Sequence, residues 1–210
     1  TSCWNGWCTP SAAASSTGVR IEPMIPAPIP SYDEERVAAL RNLRLLDTAP
    51  EPTFDRITRT LACILKVPTA LVSLVDADRQ WFKSRIGLDA VETPRTVSFC
   101  GHVVASREPM FICDTHRDTR FADNPLVSAN PRIRFYAGAP LITSEGYALG
   151  TLCAIDYVPR EAISAVERDC LIDLAGLTVD AIDARAVSKD RKSTRLNSSH
   201  VSESRMPSSA

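Results

Sequence analysis

Apolar residues recur at helical spacing in three parts of the chain: residues 33–46, a segment from about Thr53, and residues 164–182. The second part carries an apolar stripe formed by Phe54, Ile57, Leu61, Ile64 and Leu65. Residues 31–34 and 164–167 both have the S-x-x-E form of a capping box, in which Ser and Glu side chains bond to free backbone N–H groups. We therefore predict two helices near the start of the chain and one at the end.

Between these helices, short apolar or alternating runs predict β-strands. They lie at residues 71–75, 80–87, 110–113, 134–143 and 149–155. A short helix is predicted over residues 98–106 and a long polar loop over residues 115–132. Because tight turns join most of the strands, the pattern indicates an α+β fold. Its central sheet is antiparallel, and the N- and C-terminal helices pack together on one face.

Composition changes the interpretation of both ends of the chain. Residues 1–30 are rich in Ser, Ala and Pro, which predicts a disordered leader. Residues 190–210 resemble one reading frame of a DNA-sequencing adaptor, and we interpret them as not native. The folded domain is therefore predicted to cover residues 31–188.

The charge balance excludes several classes of partner. The chain has 24 Lys and Arg against 25 Asp and Glu, so it lacks the basic surface that nucleic acids and anionic membranes attract. No apolar run approaches the length of a transmembrane helix, which favours a cytoplasmic domain. Five cysteines lie within the predicted domain, an odd number that indicates reduced thiols: Cys63, Cys100, Cys113, Cys153 and Cys170.

Several short motifs follow one another along the domain. They are LLDTAPE at residues 45–51, FD at 54–55, VDADRQWFKS at 75–84, SFCGH at 98–102, DTRFADNP at 118–125, RFYAGAPL at 134–141 and GTLCAID at 150–156. Together they resemble the GAF domain family, in the bacterial branch found upstream of cyclase, phosphodiesterase or histidine-kinase domains. The resemblance implies a ligand pocket on the sheet face opposite the terminal helices, roofed by residues 98–132. The family binds cyclic nucleotides, haem, bilins or small metabolites, so the resemblance does not choose a cofactor.

Eight residues around this implied pocket are candidate ligand contacts: Cys100, His102, Asp114, Asp118, Arg120, Phe121, Arg134 and Tyr136. Arginine can bind a phosphate or carboxylate through two N–H groups, and the aromatic rings can stack on a planar ligand. An alternative stays open for Asp118, Arg120 and Asn124, whose side chains can instead hydrogen-bond within their own loop.

Metal and chromophore chemistry are less well supported by the sequence. Cys100, His102, Cys113 and His116 supply the ligand types of a zinc site. However, side chains two positions apart on a helix diverge, so no metal site is predicted. Covalent bilin attachment in phytochrome-like GAF domains uses a Cys followed directly by His, and here Gly101 intervenes.

The resemblance implies a sensory or regulatory domain that binds a small molecule or contacts proteins, without catalytic residues of its own. We expect an output signalling domain C-terminal to it in the full-length protein, and a homodimer. One alternative is a cysteine-dependent reductase of the free methionine sulfoxide reductase type, using Cys100 with Cys153 or Cys113. Another is a ligand-free dimerisation module with a filled pocket.

Overall fold

The computed structural model describes the backbone of residues 25–202 and the side chains of residues 25–189. Most of the predicted leader lies outside the described residues, as does the end of the segment interpreted as adaptor-derived. Residues 25–30 have no regular secondary structure. Within the described range, no helix combines the length and the hydrophobicity needed to span a bilayer.

A six-stranded sheet forms the centre of the domain, in the order β3-β2-β1-β6-β5-β4, and neighbouring strands are antiparallel. The strands are β1 Thr69–Val75, β2 Arg79–Ile86, β3 Glu92–Pro94, β4 Met110–Ile112, β5 Phe135–Ile142 and β6 Ala148–Asp156. β1 and β6 are buried at every position, because helices or loops cover both faces at the middle of the sheet. The predicted antiparallel α+β fold is confirmed.

The helices divide between the two faces of the sheet. They are α1 Asp33–Asn42, α2 Pro52–Leu65, α3 Phe99–Ser106, α4 Pro125–Ser128 and α5 Ala165–Ser202. α1, α2 and α5 pack on the face that carries Val72, Leu74 and Leu152. α3 packs on the other face, against Leu71 and Cys153. The terminal helices therefore share one face, as predicted.

α1 begins at Asp33 as predicted, but its N-terminal cap differs from the prediction. Tyr32 occupies the N-cap position and no side chain caps the helix, so the predicted capping box at residues 31–34 is wrong. Arg36 anchors the helix instead: its side chain is fully buried and donates hydrogen bonds to the Val75 carbonyl at 2.6 Å and to Asp33 Oδ1 at 2.9 Å. The helix also ends at Asn42 rather than near residue 46.

The capping box at the start of α5 is confirmed. The Ser164 hydroxyl accepts a hydrogen bond from the Glu167 N–H at 3.2 Å, and Glu167 Oε2 accepts one from the Ser164 N–H at 2.8 Å. Ser164→Ala is expected to lower the free energy of unfolding by about 1 kcal/mol, because a helix N–H loses its partner. Urea denaturation measures this change. The control is Ser188→Ala on the exposed surface of α5, and an equal loss in both variants would contradict the cap.

Candidate functional site

α3 lies over the sheet face opposite the terminal helices. Ser98 caps it by accepting a hydrogen bond from the Gly101 N–H at 2.9 Å, and the Ser98 hydroxyl donates to the side chain of Gln80 on β2. Residues 113–134 extend this cover. Three residues of that segment, Phe121, Val127 and Ile133, have buried side chains. We call α3 together with residues 113–134 the roof.

Three stacked aromatic rings fill the space beneath the roof. The ring of Phe99 lies 4.1 Å from that of Phe121 and 5.1 Å from that of Tyr136. The Tyr136 ring fits there because Gly138 has no side chain; a Cβ at that position would overlap the ring. His102 contacts Phe121 edge-on at 4.8 Å, and burial together with the nearby Arg120 lowers the pKa of His102. The space that the resemblance assigns to a ligand therefore holds side chains.

A buried polar cluster lies between these rings and the sheet. The Tyr136 hydroxyl donates a hydrogen bond to Cys100 Sγ at 3.3 Å, and Cys153 Sγ lies 3.8 Å from Cys100 Sγ. Ser73 and Thr151 face each other across β1 and β6, and their hydroxyl groups are buried without a hydrogen-bond partner. Buried polar atoms are normally paired, so this cluster is an unusual feature of the core.

The pKa values of the two thiols are shifted in opposite directions. Burial raises the pKa of Cys100, but the neighbouring polar groups of Cys153, Thr151 and Tyr136 outweigh it and lower that pKa below its ordinary value. The hydrogen bond with Cys100, followed by burial, raises the pKa of Cys153. Burial and the neighbouring thiols also raise the pKa of Tyr136. Cys100 is therefore the group of this cluster that carries a negative charge most readily.

The charged candidates lie on the outer side of the roof and bond to one another. Asp118 binds Arg120 at 2.6 Å and also accepts a hydrogen bond from its backbone N–H at 3.0 Å. The hydrogen bond from Arg120 lowers the pKa of Asp118. The Asn124 side chain accepts a hydrogen bond from the Leu126 N–H at 2.8 Å and donates to the Val97 carbonyl at 3.1 Å. These contacts match the alternative in which the three residues fix their own loop.

Asp114 and Arg134 form a second pair on the roof. Arg134 donates to both carboxylate oxygens of Asp114, at 3.0 and 3.2 Å. Two open clefts flank this pair. One, of about 800 Å³, is lined by Asp114, Asp118 and Arg160 among others, and the second, of about 680 Å³, by Arg134, Arg132 and Tyr157 among others. The roof loop is therefore packed on its inner side and open on its flanks.

The structure thus separates the eight predicted site residues into two groups. Cys100, Phe121 and Tyr136 lie in the interior with His102 at their edge, whereas Asp114, Asp118, Arg120 and Arg134 lie on the roof surface. Cys113 and His116 do not form a metal-binding group with Cys100 and His102. Among the described residues, no group of three or more His, Cys, Asp or Glu side chains is positioned to hold a metal ion.

Sequence reasoning missed Phe99, Ser73 and Thr151. A signal for Ser73 was present, because it is the single polar residue among the apolar residues 71–75, and a polar group in a fully buried strand needs a reason. Thr151 gave no comparable signal, since Thr is common in strands.

Comparisons with known proteins bear on this site. The GAF domain model matches residues 49–182. A cyclic di-GMP phosphodiesterase of Pseudomonas aeruginosa is 42% identical over 146 residues, which cover 70% of this chain and 24% of that protein. The chain therefore spans about a quarter of that relative's length.

Solved structures share the fold at low sequence identity. The GAF domain of an Acinetobacter phosphoenolpyruvate-protein phosphotransferase superposes with a TM-score of 0.55 at 16% identity, covering 73% of this chain and 94% of that one. A free methionine-R-sulfoxide reductase from Neisseria meningitidis gives a TM-score of 0.54 at 16% identity, covering 74% and 90%. At such identities the likeness shows the fold and not the activity.

Proposed function

Because the chain belongs to the GAF domain family, we propose that it is a regulatory domain that binds a small molecule between the roof and the sheet. The observation that carries this proposal is the pair of unpaired hydroxyl groups, on Ser73 and Thr151, beneath the aromatic stack. Each buried polar group without a partner costs about 1–3 kcal/mol. A ligand that hydrogen-bonds these groups removes this penalty. We expect the ligand to contain a planar group that takes the place of one or more of the stacked aromatic rings.

Entry of a ligand requires the roof to move, and its contacts allow this. The Asp114–Arg134 pair is partly exposed, and such ion pairs contribute only about 0–1 kcal/mol. The Asp118–Arg120 pair is internal to the loop and does not tie it to the sheet. Apart from the hydrogen bond between Asn124 and the Val97 carbonyl, the central part of the loop over residues 113–134 is therefore held mainly by Phe121, Val127 and Ile133, which a ligand can displace or cover.

We propose that α5 transmits the ligand-binding signal from this domain to the rest of the protein. This helix packs on the opposite face of the sheet, against β5 and β6. Apolar side chains on its described part stay exposed, at Val166, Ile172, Leu177 and Val187. We infer that these residues contact a second copy, and that an output domain follows α5 in the full-length protein. The likeness to a cyclic di-GMP phosphodiesterase favours an output in cyclic dinucleotide turnover.

A ligand-free dimerisation module is the second candidate. The stacked rings of Phe99, Phe121 and Tyr136 favour it, because a filled interior needs no ligand. A reductase is not proposed, because the likeness to a free methionine-R-sulfoxide reductase, at 16% identity, shows the fold alone.

Native mass spectrometry of the 210-residue chain, purified from bacterial cells, separates the two candidates. A regulatory domain is expected to carry excess mass that disappears on denaturation. Tyr136→Phe and Thr151→Val each remove a polar group from the cluster, so occupancy is expected to fall about five- to tenfold. The control is Thr178→Val, which changes a buried hydroxyl on the other face. A wild-type dimer without excess mass would support the dimerisation module instead.

A further inference from the structure

Cys100 and Cys153 bring two sulfur atoms together from separate layers of the domain. Cys100 belongs to α3 in the roof, and Cys153 belongs to β6 in the sheet. Their sulfur atoms are 3.8 Å apart. A disulfide bond has a length of about 2 Å, so the two atoms must approach by roughly 2 Å to form one. A disulfide bond between them therefore requires α3 to move toward β6.

The surroundings favour Cys100 as the attacking sulfur. The Tyr136 hydroxyl donates a hydrogen bond to it at 3.3 Å, which stabilises the thiolate, the reactive form of cysteine. Its lowered pKa agrees with this geometry, and the raised pKa of Cys153 keeps that group protonated. The cluster therefore pairs one attacking sulfur with one resolving thiol, as redox-sensing cysteines commonly do.

Burial restricts the oxidant to a small neutral molecule. Both side chains lie within the core, with exposed fractions of 2% for Cys100 and 0% for Cys153. Hydrogen peroxide is small and uncharged, so a transient opening of α3 admits it without unfolding the domain.

We propose that Cys100 and Cys153 are a peroxide-sensitive dithiol that closes into a disulfide bond and fixes α3 to the sheet. The Cys100 thiolate attacks one peroxide oxygen, the O–O bond breaks, and the departing hydroxide takes up a proton to become water. The Cys153 sulfur then attacks the sulfenic acid on Cys100, the S–O bond breaks, and a second water leaves with the thiol proton. Two thiols and one hydrogen peroxide thus yield one disulfide and two waters.

This modification goes beyond the proposed function and does not depend on it, because the sulfur atoms react whether or not a ligand binds. If a ligand does bind beneath the roof, the disulfide would oppose the opening that admits it. The two ideas are therefore read out separately, one by cross-linked peptides and the other by ligand mass.

The test is peptide mass spectrometry of the reduced 210-residue chain after brief treatment with hydrogen peroxide. Free thiols are alkylated under denaturing conditions, and the chain is digested without reductant. The reduced chain has seven cysteines to alkylate, and the oxidised chain is expected to alkylate at two fewer. A cross-linked peptide pair containing Cys100 and Cys153 is expected, two hydrogens lighter than the separate peptides, and dithiothreitol should reverse it.

Variants assign the roles of the two sulfurs. Cys153→Ser is expected to leave a sulfenic acid on Cys100 that dimedone traps when the chain is unfolded in its presence, whereas Cys100→Ser leaves Cys153 largely unreactive. Cys63→Ser, which removes an exposed thiol, should not change the cross-link. Full alkylation of Cys100 and Cys153 in peroxide-treated wild-type protein, with oxidation confined to exposed thiols, would overturn the proposal. This decisive measurement uses the wild-type protein, so it does not depend on whether the variants fold.

Discussion

Gly150→Ala is expected to lower the free energy of unfolding by at least about 3 kcal/mol, because the added methyl group overlaps the backbone of the adjacent strand. Gly150 lies opposite Leu74 in the β1–β6 pair at the centre of the sheet. A Cβ at this position would overlap the Ser73 carbonyl oxygen and lie 2.8 Å from the Leu74 Cα. Backbone atoms cannot rotate away, so β1 and β6 must separate. Urea denaturation followed by circular dichroism measures the loss.

Gly176→Ala is the matched control for this substitution. Gly176 lies on the exposed side of α5, where an added Cβ would have no neighbour within 4 Å. Alanine favours the helix, so this variant is expected to gain about 0.5–1 kcal/mol. If the free energy of unfolding falls in Gly150→Ala and rises in Gly176→Ala, the close approach of β1 is the reason that position 150 requires glycine. An unfolding midpoint for Gly150→Ala equal to that of the wild type would refute the argument.

The sequence correctly predicted the elements in which the buried positions coincide with the periodic spacing of apolar residues. In α2, Phe54, Leu61 and Leu65 form the buried face, and they recur at helical spacing. In α5, Leu171 and Ile182 do the same. The two long hairpins were predictable for related reasons: a continuous apolar run indicated that β1 is covered on both faces, and an alternating run indicated β2.

The features that the sequence did not predict, such as the cap of α1 and strand β3, depend on contacts with distant residues. α1 begins at Asp33, where Arg95 binds Asp33 at 2.7 Å and Arg107 stacks on Tyr32 with its guanidinium 4.1 Å from the ring. Local capping preference predicts none of these contacts. β3 has only three residues, Glu92–Pro94, and pairs with β2 at the sheet edge, so it has too little apolar pattern to detect.

The sequence indicated which segments form the candidate site, but not whether the protein's own side chains fill it. The resemblance indicated which segments cover the sheet, and the structure places α3 and the loop over residues 113–134 there. Whether side chains fill that space depends on rotamers, such as the Tyr136 ring lying over Gly138. The charged candidates proved to pair at short range, as Asp118 does with Arg120. A sequence shows both charges but not their mutual orientation.

Glu51→Gln is expected to lower the free energy of unfolding by about 2 kcal/mol, because one carboxylate serves two cations. Lys83 on β2 has a fully buried side chain whose Nζ donates to Glu51 Oε1 at 2.7 Å, and Arg185 on α5 donates to the same oxygen at 2.7 Å. Without the anion, Lys83 keeps only the neutral acceptors Thr48 Oγ1 and the Ala49 carbonyl. The loss is smaller than for a fully buried pair, since Glu51 is 34% exposed.

The pH dependence of the Glu51→Gln variant separates loss of charge from loss of packing. Burial raises the pKa of Glu51, but hydrogen bonds from Lys83 and Arg185 outweigh it and lower the folded-state pKa below its unfolded value. The stability that Glu51 contributes is therefore present above the unfolded pKa and lost as the pH falls through the folded one. The gap between wild type and variant should shrink below about pH 4. The control is Glu145→Gln in an exposed turn, expected to be neutral. A gap of equal size at pH 7 and pH 3 would mean that packing, and not charge, joins β2 to α5.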